Sequence, residues 1–321
     1  MSTNPIHPET PSATHVVLGA GPVARSVVAA LVARGTRPVV VSRSGTSVAG
    51  AGARRADIGD AAALGAAVAD ADVVFQCAQP PYHRWPQEFP QLQDRVLAAV
   101  ESAGALLVAA ENLYGYAPPT SAITEDLPLA ATTRKGVVRA AMWRRLEDAH
   151  RSGRVRTVAA RASDFFGPGV TASAVGDRFF GPIVAGKGVQ VVGDPDRLHT
   201  YTYVADFGEA MVRLSEAPET WGQARHVPNA PTITTRAFAE RAAAIAGTTA
   251  RLKPVKPWQL RLVGTFVPAL REIDELRYEF EQDWVVSHDR YAAVLGDHAT
   301  GLDDALAATV HAQRRPAAGA A

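Results

Sequence analysis

Gly19-Ala20-Gly21-Pro22-Val23-Ala24 is the stretch whose residue types and spacing most plainly serve chemistry. In a G-x-G-x-x-A run the first glycine allows a tight turn. The second lets backbone approach a pyrophosphate, and the small sixth residue lets a helix pack closely on a strand. A helix that opens there adds free N–H groups and the positive end of its dipole. The context fits, because the apolar run HVVL (15–18) precedes the loop and a helical pattern runs from about Val23 to Ala33. Gly19, Gly21, Pro22 and Val23 are therefore expected to hold a dinucleotide.

The next apolar run, PVVVS (38–42), ends at Ser42 and is followed by Arg43. An Asp or Glu here would bond a ribose 2′-hydroxyl and repel a 2′-phosphate, whereas Ser and Arg can bond that phosphate. The pair points to NADP(H) rather than NAD. Asp57 and Ile58 follow a short strand and are expected at the adenine. Asp57 serves equally well as a cap for a helix beginning near Asp60.

Cys77, Ala78 and Gln79 end the run that starts at Asp72, and Pro80-Pro81-Tyr82-His83-Arg84-Trp85-Pro86 follows. Ligands of open α/β sheets lie beyond the carboxyl ends of the strands. Tyr82 and Trp85 are thus expected to face a flat or aromatic substrate, although a rigid loop packed on the next helix would need the same residues. The nine histidines have no metal-ligand spacing and Cys77 is the only cysteine, so no metal site is expected.

These residues need elements to position them. Strands are expected at 15–18, 38–42, 72–77, 106–110 and 155–161. Helices are expected from about Val23 to Ala33, Gln87 to Ala103 (ending at Gly104) and Thr133 to Arg151. Alternating strands and helices, with strands apolar on both faces, predict a Rossmann-type, doubly wound parallel α/β sheet. Residues 14–165 are expected to form the nucleotide-binding domain. Beyond Phe165 glycine and proline become dense, and residues 166–312 are expected to form mainly a smaller substrate-binding lobe, with some segments returning to the sheet. Trp258, Phe266, Tyr278, Phe280 and Trp284 fall among that lobe's helices. Residues 1–13 and 313–321 are expected to be disordered.

The 321 residues carry 33 basic and 32 acidic side chains, a net charge of +1. That balance offers no footprint for nucleic acid or for an anionic membrane. No signal peptide or membrane span is legible. The expectation is a cytoplasmic monomer or homodimer acting on a small molecule.

Further motifs carry a family resemblance. Asp72–Ala78, Leu113-Tyr114-Gly115, Arg161 with Phe165-Phe166-Gly167-Pro168-Gly169, and His199–Asp206 resemble the fourth-strand, VYG, R…YGPG and R-d-f-x-y-V-x-D segments of the extended short-chain dehydrogenase/reductases, the NAD(P)-dependent epimerase/dehydratase superfamily. The likeness covers nearly all of residues 14–312. It implies cofactor contacts at Cys77, Ala78, Gln79 and Phe165, and substrate contacts near Phe166.

The family catalyses with a Ser or Thr and with Y-x-x-x-K on one helix. Here Ala110 stands four residues before Tyr114, where the hydroxyl belongs, and residues 132–141 contain no tyrosine. Two registers remain. One puts Lys135 and Arg139 at the paired positions, the other Thr133 and Val137. Lys135 is expected to touch the cofactor and to supply the proton. Tyr114 and Asn112 are further catalytic candidates that also face the substrate. The expected activity is NADPH-dependent reduction of a ketone on a polycyclic or aromatic secondary metabolite, as in antibiotic biosynthesis. The alternatives are a sugar-nucleotide epimerase or dehydratase and a non-catalytic NADP-binding regulator.

Overall fold

The computed structural model describes residues 13–255 and 275–314. Expectations for residues 1–12 and 315–321, and for Trp258 and Phe266, lie outside the described residues.

Seven parallel strands form the central sheet. They are β1 (His15–Leu18), β2 (Val39–Ser42), β3 (Gly52–Arg55), β4 (Val73–Gln76), β5 (Leu106–Asn112), β6 (Arg156–Ala162) and β11 (Ala224–His226). Their order is β11-β6-β5-β4-β1-β2-β3, a Rossmann-type arrangement. The winding reverses between β1 and β4, which opens a crevice beyond their carboxyl ends.

Val16, Val17, Leu18, Val74 and Phe75 are fully buried, because helices cover both faces. One face packs α1 (Pro22–Ala33) and α6 (Val204–Ser215). The other packs α2 (Ala61–Val68), α3 (Trp85–Ala103) and α4 (Arg134–Arg151). The α3 helix begins two residues before the expected Gln87, with Pro86 tolerated in its first turn, and ends at the left-handed Gly104. After residue 165 the chain comes back to the sheet with α6 and β11.

The remaining strands and helices come after β6 in the chain. They are β7 (Asp164–Phe166), α5 (Asp177–Val184), β8 (Val189–Val191), β9 (Leu198–His199), β10 (Tyr201–Tyr203), β12 (Ile233–Thr234), α7 (Thr235–Ala246), β13 (Leu252–Pro254), α8 (Asp289–Leu295) and α9 (Leu302–Arg314). α5, α7 and α9 enclose a core of Phe166, Phe179, Phe180, Tyr201 and Phe238. The stretch 275–288 crosses between this lobe and the sheet. Its Trp284 bridges to His199, and its Val286 bridges to Ile123.

Candidate active site

The glycine loop has the geometry its sequence implies. Gly19 sits at φ +109°, and a Cβ there would crowd the Ala78 backbone nitrogen at 3.1 Å. Its N–H donates to the Val41 carbonyl at 2.8 Å, while the Cys77 N–H donates to the Leu18 carbonyl. Gly21 differs, since a Cβ on it would meet nothing within 4 Å. The protein's own packing does not demand that glycine, but a phosphate lying on the backbone would. Gly21 is also the N-cap of α1, with no side-chain cap and no acid in the first turn, so the helix offers its orphan N–H groups to an anion. Pro22 starts the helix and Val23 packs toward the sheet.

At the end of β2 the Ser42 hydroxyl accepts the Thr46 N–H at 3.0 Å, which folds the loop back. Arg43 is exposed. Register pairs Ser42 with Arg55, whose Nε donates to the Arg43 carbonyl at 3.1 Å. Arg43 follows Ser42 in the chain and Arg55 stands beside it across the sheet, and neither has a carboxylate partner among the described residues. Asp57 turns its own loop by accepting the Gly59 N–H, and Asp60 caps α2. Ile58 packs on the sheet core.

At the start of α4 the two registers separate. Thr133 is the N-cap and accepts the Gly136 N–H, whereas Val137 is 52% exposed. Lys135 is fully buried and Arg139 nearly so. Gly136 is obligatory, because a Cβ would strike the Tyr114 carbonyl oxygen and Ala131. The Lys135 ammonium bonds Glu275 at 3.1 Å and lies 4.4 Å from the centre of the Tyr82 ring. Glu275 also accepts the Lys135 N–H at 2.8 Å, which ties the 275–288 stretch to the helix.

Arg139 does not reach toward a ribose. Its guanidinium pairs with Glu111 at 3.0 Å, donates to the Ala110 carbonyl, and stacks near Trp85 and Phe89. Alternation along β5 and β6 puts Glu111 and Arg161 on the face covered by α4, so these charges must neutralise one another. Burial pushes the Glu111 carboxyl up, and Arg139 and Arg161 oppose that shift. The network continues from Arg161 to the Tyr116 hydroxyl at 2.7 Å and on to His226 Nε2 at 2.9 Å. His226 Nδ1 then donates to the Ser287 carbonyl. Burial, reinforced by Arg161, holds the imidazole down at about 3.

Beyond the strand ends lies a cluster of aromatic rings and carboxyls. Tyr82 and Tyr114 meet edge to face, and burial pushes both phenols up. Asp164 Oδ2 lies 2.9 Å from His199 Nε2, while His199 Nδ1 donates to the Glu279 carbonyl at 3.2 Å. The imidazole stacks on Phe280 with ring centres 4.5 Å apart. Glu279 is 3% exposed and its carboxyl meets the Tyr278 hydroxyl. Burial, and then Asp164, raise its carboxyl well above the usual range.

Residues 15–228 match the NAD dependent epimerase/dehydratase family. The chain belongs to that family. No curated protein matches it in sequence. Among solved structures it is similar to the Thermus thermophilus UDP-glucose 4-epimerase in complex with NAD, at 20% identity and TM-score 0.73, covering 94% of this chain and 99% of that one. It is similar also to the Bacillus cereus UDP-glucuronic acid 4-epimerase with UDP-glucuronic acid and NAD, at 18% identity and TM-score 0.76, covering 94% and 98%. The Thermotoga maritima UDP-glucose 4-epimerase with UDP-glucose matches at 17% identity and TM-score 0.75 over 94% and 98%. The chain is thus an enzyme of the short-chain dehydrogenase/reductase type that uses a nicotinamide dinucleotide, and the Gly21 cradle fits that group.

Among the family's expected positions, Cys77 and Ala78 stand beside the glycine loop, and burial pushes the Cys77 thiol up. Gln79 is exposed at the crevice. Phe165 packs on Phe207 on the α1–α6 side. Asn112 turns the chain by accepting the Tyr114 N–H at 3.2 Å. Two expected substrate contacts are corrected. Trp85 is 4% exposed, donates to the Pro80 carbonyl and belongs to the sheet core. Phe166 is fully buried in the lobe core, because β7 alternation turns Asp164 and Phe166 away from the Phe165 side. Sequence reasoning did not single out Arg55, Asp164, Glu275 or Glu279. Only Arg55 left a local signal, two basic residues in a row ending β3. Among the described residues no group of three or more His, Cys, Asp or Glu could hold a metal ion. No helix among them is long and apolar enough to cross a membrane.

Proposed function

We propose that this enzyme uses NADP(H) and reduces a ketone on an aromatic or polycyclic metabolite. The observation that carries the cofactor assignment is the pair Arg43 and Arg55 around Ser42, with no carboxylate among the described residues to claim them. Each charge-assisted bond to a 2′-phosphate contributes about 1.5–3 kcal/mol. When bound, the nicotinamide supplies or accepts the hydride. Lys135 stands where the family keeps its tyrosine. Its ammonium, held by Glu275, donates a hydrogen bond to the substrate oxygen and steadies the charge that develops there. Tyr82 and Tyr114, with high phenol pKa values, stay protonated and orient a flat ring. Asn112 shapes the turn that presents Tyr114.

Sugar-nucleotide epimerisation is the second reading, favoured by the likeness to the three UDP-sugar epimerase structures above. Against it stands the chemistry of this cluster. A pyrophosphate-linked substrate calls for free cations. Here Asp164, Glu275 and Glu279 gather around Tyr82, and Lys135 is already paired with Glu275. A non-catalytic role as an NADP-binding regulator is the third reading, motivated by the missing tyrosine.

One experiment separates them. NADPH oxidation is followed with a panel of aromatic ketones, and UDP-glucose and UDP-glucuronic acid are tested for epimerisation in parallel. Turnover of a ketone with no sugar product is expected. Epimerised sugar would replace this reading, and inertness with tight NADPH binding would favour the regulator.

A further inference from the structure

A dinucleotide brings a doubly charged pyrophosphate to the glycine loop, while a helix N-terminus offers only roughly half a positive charge. Arg43 and Arg55 stand at the carboxyl ends of β2 and β3, beside Ser42. The first charged residue after the loop itself is Arg25, four residues beyond Gly21 and exposed on α1. Residues four apart on a helix share a face, and side chains lean toward the helix N-terminus. Arg25 does so. Its Nε donates to the Ala20 carbonyl at 3.1 Å, which folds the side chain back over the first turn and against the glycine loop. That turn is open, because a Cβ on Gly21 would meet nothing within 4 Å.

The charge of Arg25 is not claimed by the protein. A cavity of about 350 Å³ runs along this flank of α1, lined by Pro22, Arg25, Pro168, Tyr203 and Glu209 among others. Glu209 is the only carboxylate among the lining residues, and other arginines hold it. Arg34 engages its two oxygens at 2.7 and 2.8 Å, and Arg213 shares Oε1 at 2.7 Å. The Arg34 bond, before any other cause, holds that carboxyl down at about 2. Arg25 forms no ion pair among the described residues, and the first turn of α1 carries no acid. With Nε on the Ala20 carbonyl, the two terminal nitrogens of the guanidinium are left, and such a pair fits two phosphate oxygens side by side.

We propose that Arg25 is a further cofactor-binding residue, a fork that takes the pyrophosphate together with the amides of the glycine loop. The bond to Ala20 sets the fork in place beforehand, so little side-chain freedom is lost when the cofactor arrives. The pyrophosphate is common to NAD and NADP. Arg25 therefore raises affinity for both and selects neither. That separates it from Arg43 and Arg55, whose proposed ligand is a group that only NADP carries.

Calorimetric titration of the full chain with NADPH and with NADH tests this without any substrate or turnover. Arg25→Ala is expected to weaken both at least tenfold and by the same factor, leaving their ratio unchanged. Arg25→Met keeps an unbranched stem without the charge and is expected to lose as much, which gives a second reading if loss of the stem disturbs the loop. Arg25→Lys keeps the charge and is expected to lose less than either. Melting scans check that the variants are folded, as expected for an exposed side chain with one backbone bond. Unchanged affinity for both dinucleotides in the folded Ala and Met variants would show that Arg25 only ties the loop, and would overturn the proposal. A loss confined to NADPH would overturn it too, by placing Arg25 at the 2′-phosphate. Equal affinity for NADPH and NADH in the unmodified protein would count against the Arg43 and Arg55 reading alone, since a common loss in Arg25→Ala would still support this one.

Discussion

Gly19, Gly21 and Pro22 lie within four consecutive positions, whereas Lys135, Asp164, His199 and Glu279 come from four separate parts of the chain. The nucleotide end is made by one strand, one turn and one helix, and most of its work falls to backbone N–H groups. The proposed substrate end is made by side chains that meet only after the lobe has folded and residues 275–288 have crossed to the sheet. A local backbone site tolerates almost any substrate chemistry beside it. A site assembled from distant side chains is where a family member can depart from its relatives.

The sharpest way to break that contrast is Gly21→Val. A Cβ at Gly21 meets nothing in the protein, so the variant is expected to fold with an unchanged melting temperature. The side chain would stand where a pyrophosphate must approach, so NADPH affinity is expected to fall at least a hundredfold, about 2.7 kcal/mol. A melting scan and a fluorescence titration check both halves. Unchanged binding by the folded variant would show that the loop does not hold the cofactor.

The buried network of the sheet should make the substrate side sensitive to acid. His226 is held neutral, at about 3, against 6.5 in an unfolded chain. Between those values the unfolded state takes up a proton that the folded state refuses. Stability is therefore fully present above pH 6.5 and is lost as pH falls, by up to about 1.4 kcal/mol per unit. Urea midpoints at pH 7 and pH 5.5 are expected to differ by this group's share, and His226→Asn should flatten the difference. Equal midpoints in the unmodified protein would mean the imidazole is not buried in this network.

Lys135→Ala is expected to slow hydride transfer to the best ketone at least tenfold, because it removes the donor and frees Glu275. Thr133→Ala should leave the rate within about twofold while lowering stability by about 1 kcal/mol, the usual cost of a lost N-cap. Single-turnover kinetics and urea unfolding read the two effects. The reverse pattern would put Thr133 and Val137 in the site.

What the sequence made legible follows the same division. The strands at β1, β2, β4, β5 and β6 and the helices α1, α3 and α4 appear within a few residues of expectation, because apolar runs and caps are local signals. The glycine loop was legible for the same reason. Trp85 and Phe166 misled, since an aromatic next to a loop looks the same whether it lines a cavity or fills a core. The charge in LLVAAEN and the arginine ending VRTVAAR do hint at a buried pair, because both strands are otherwise apolar on two faces. Nothing near Asp164 or His199 announces Glu279, which lies 80 residues beyond the histidine it bonds. Arg55 showed only as the second of two basic residues in a row, because sheet register alone brings it beside Ser42.

The account's central claim is that the nucleotide end selects the 2′-phosphate through Arg43 and Arg55. Calorimetric titration of NADPH and NADH into the unmodified protein and into Arg43→Ala, Arg55→Ala and the double variant tests it without any substrate. NADPH is expected to bind at least tenfold more tightly than NADH, each single variant to lose part of that preference, and the double variant to bind both alike with NADH affinity unchanged. Equal affinities for NADPH and NADH in the unmodified protein, or a preference that survives in the double variant, would contradict it.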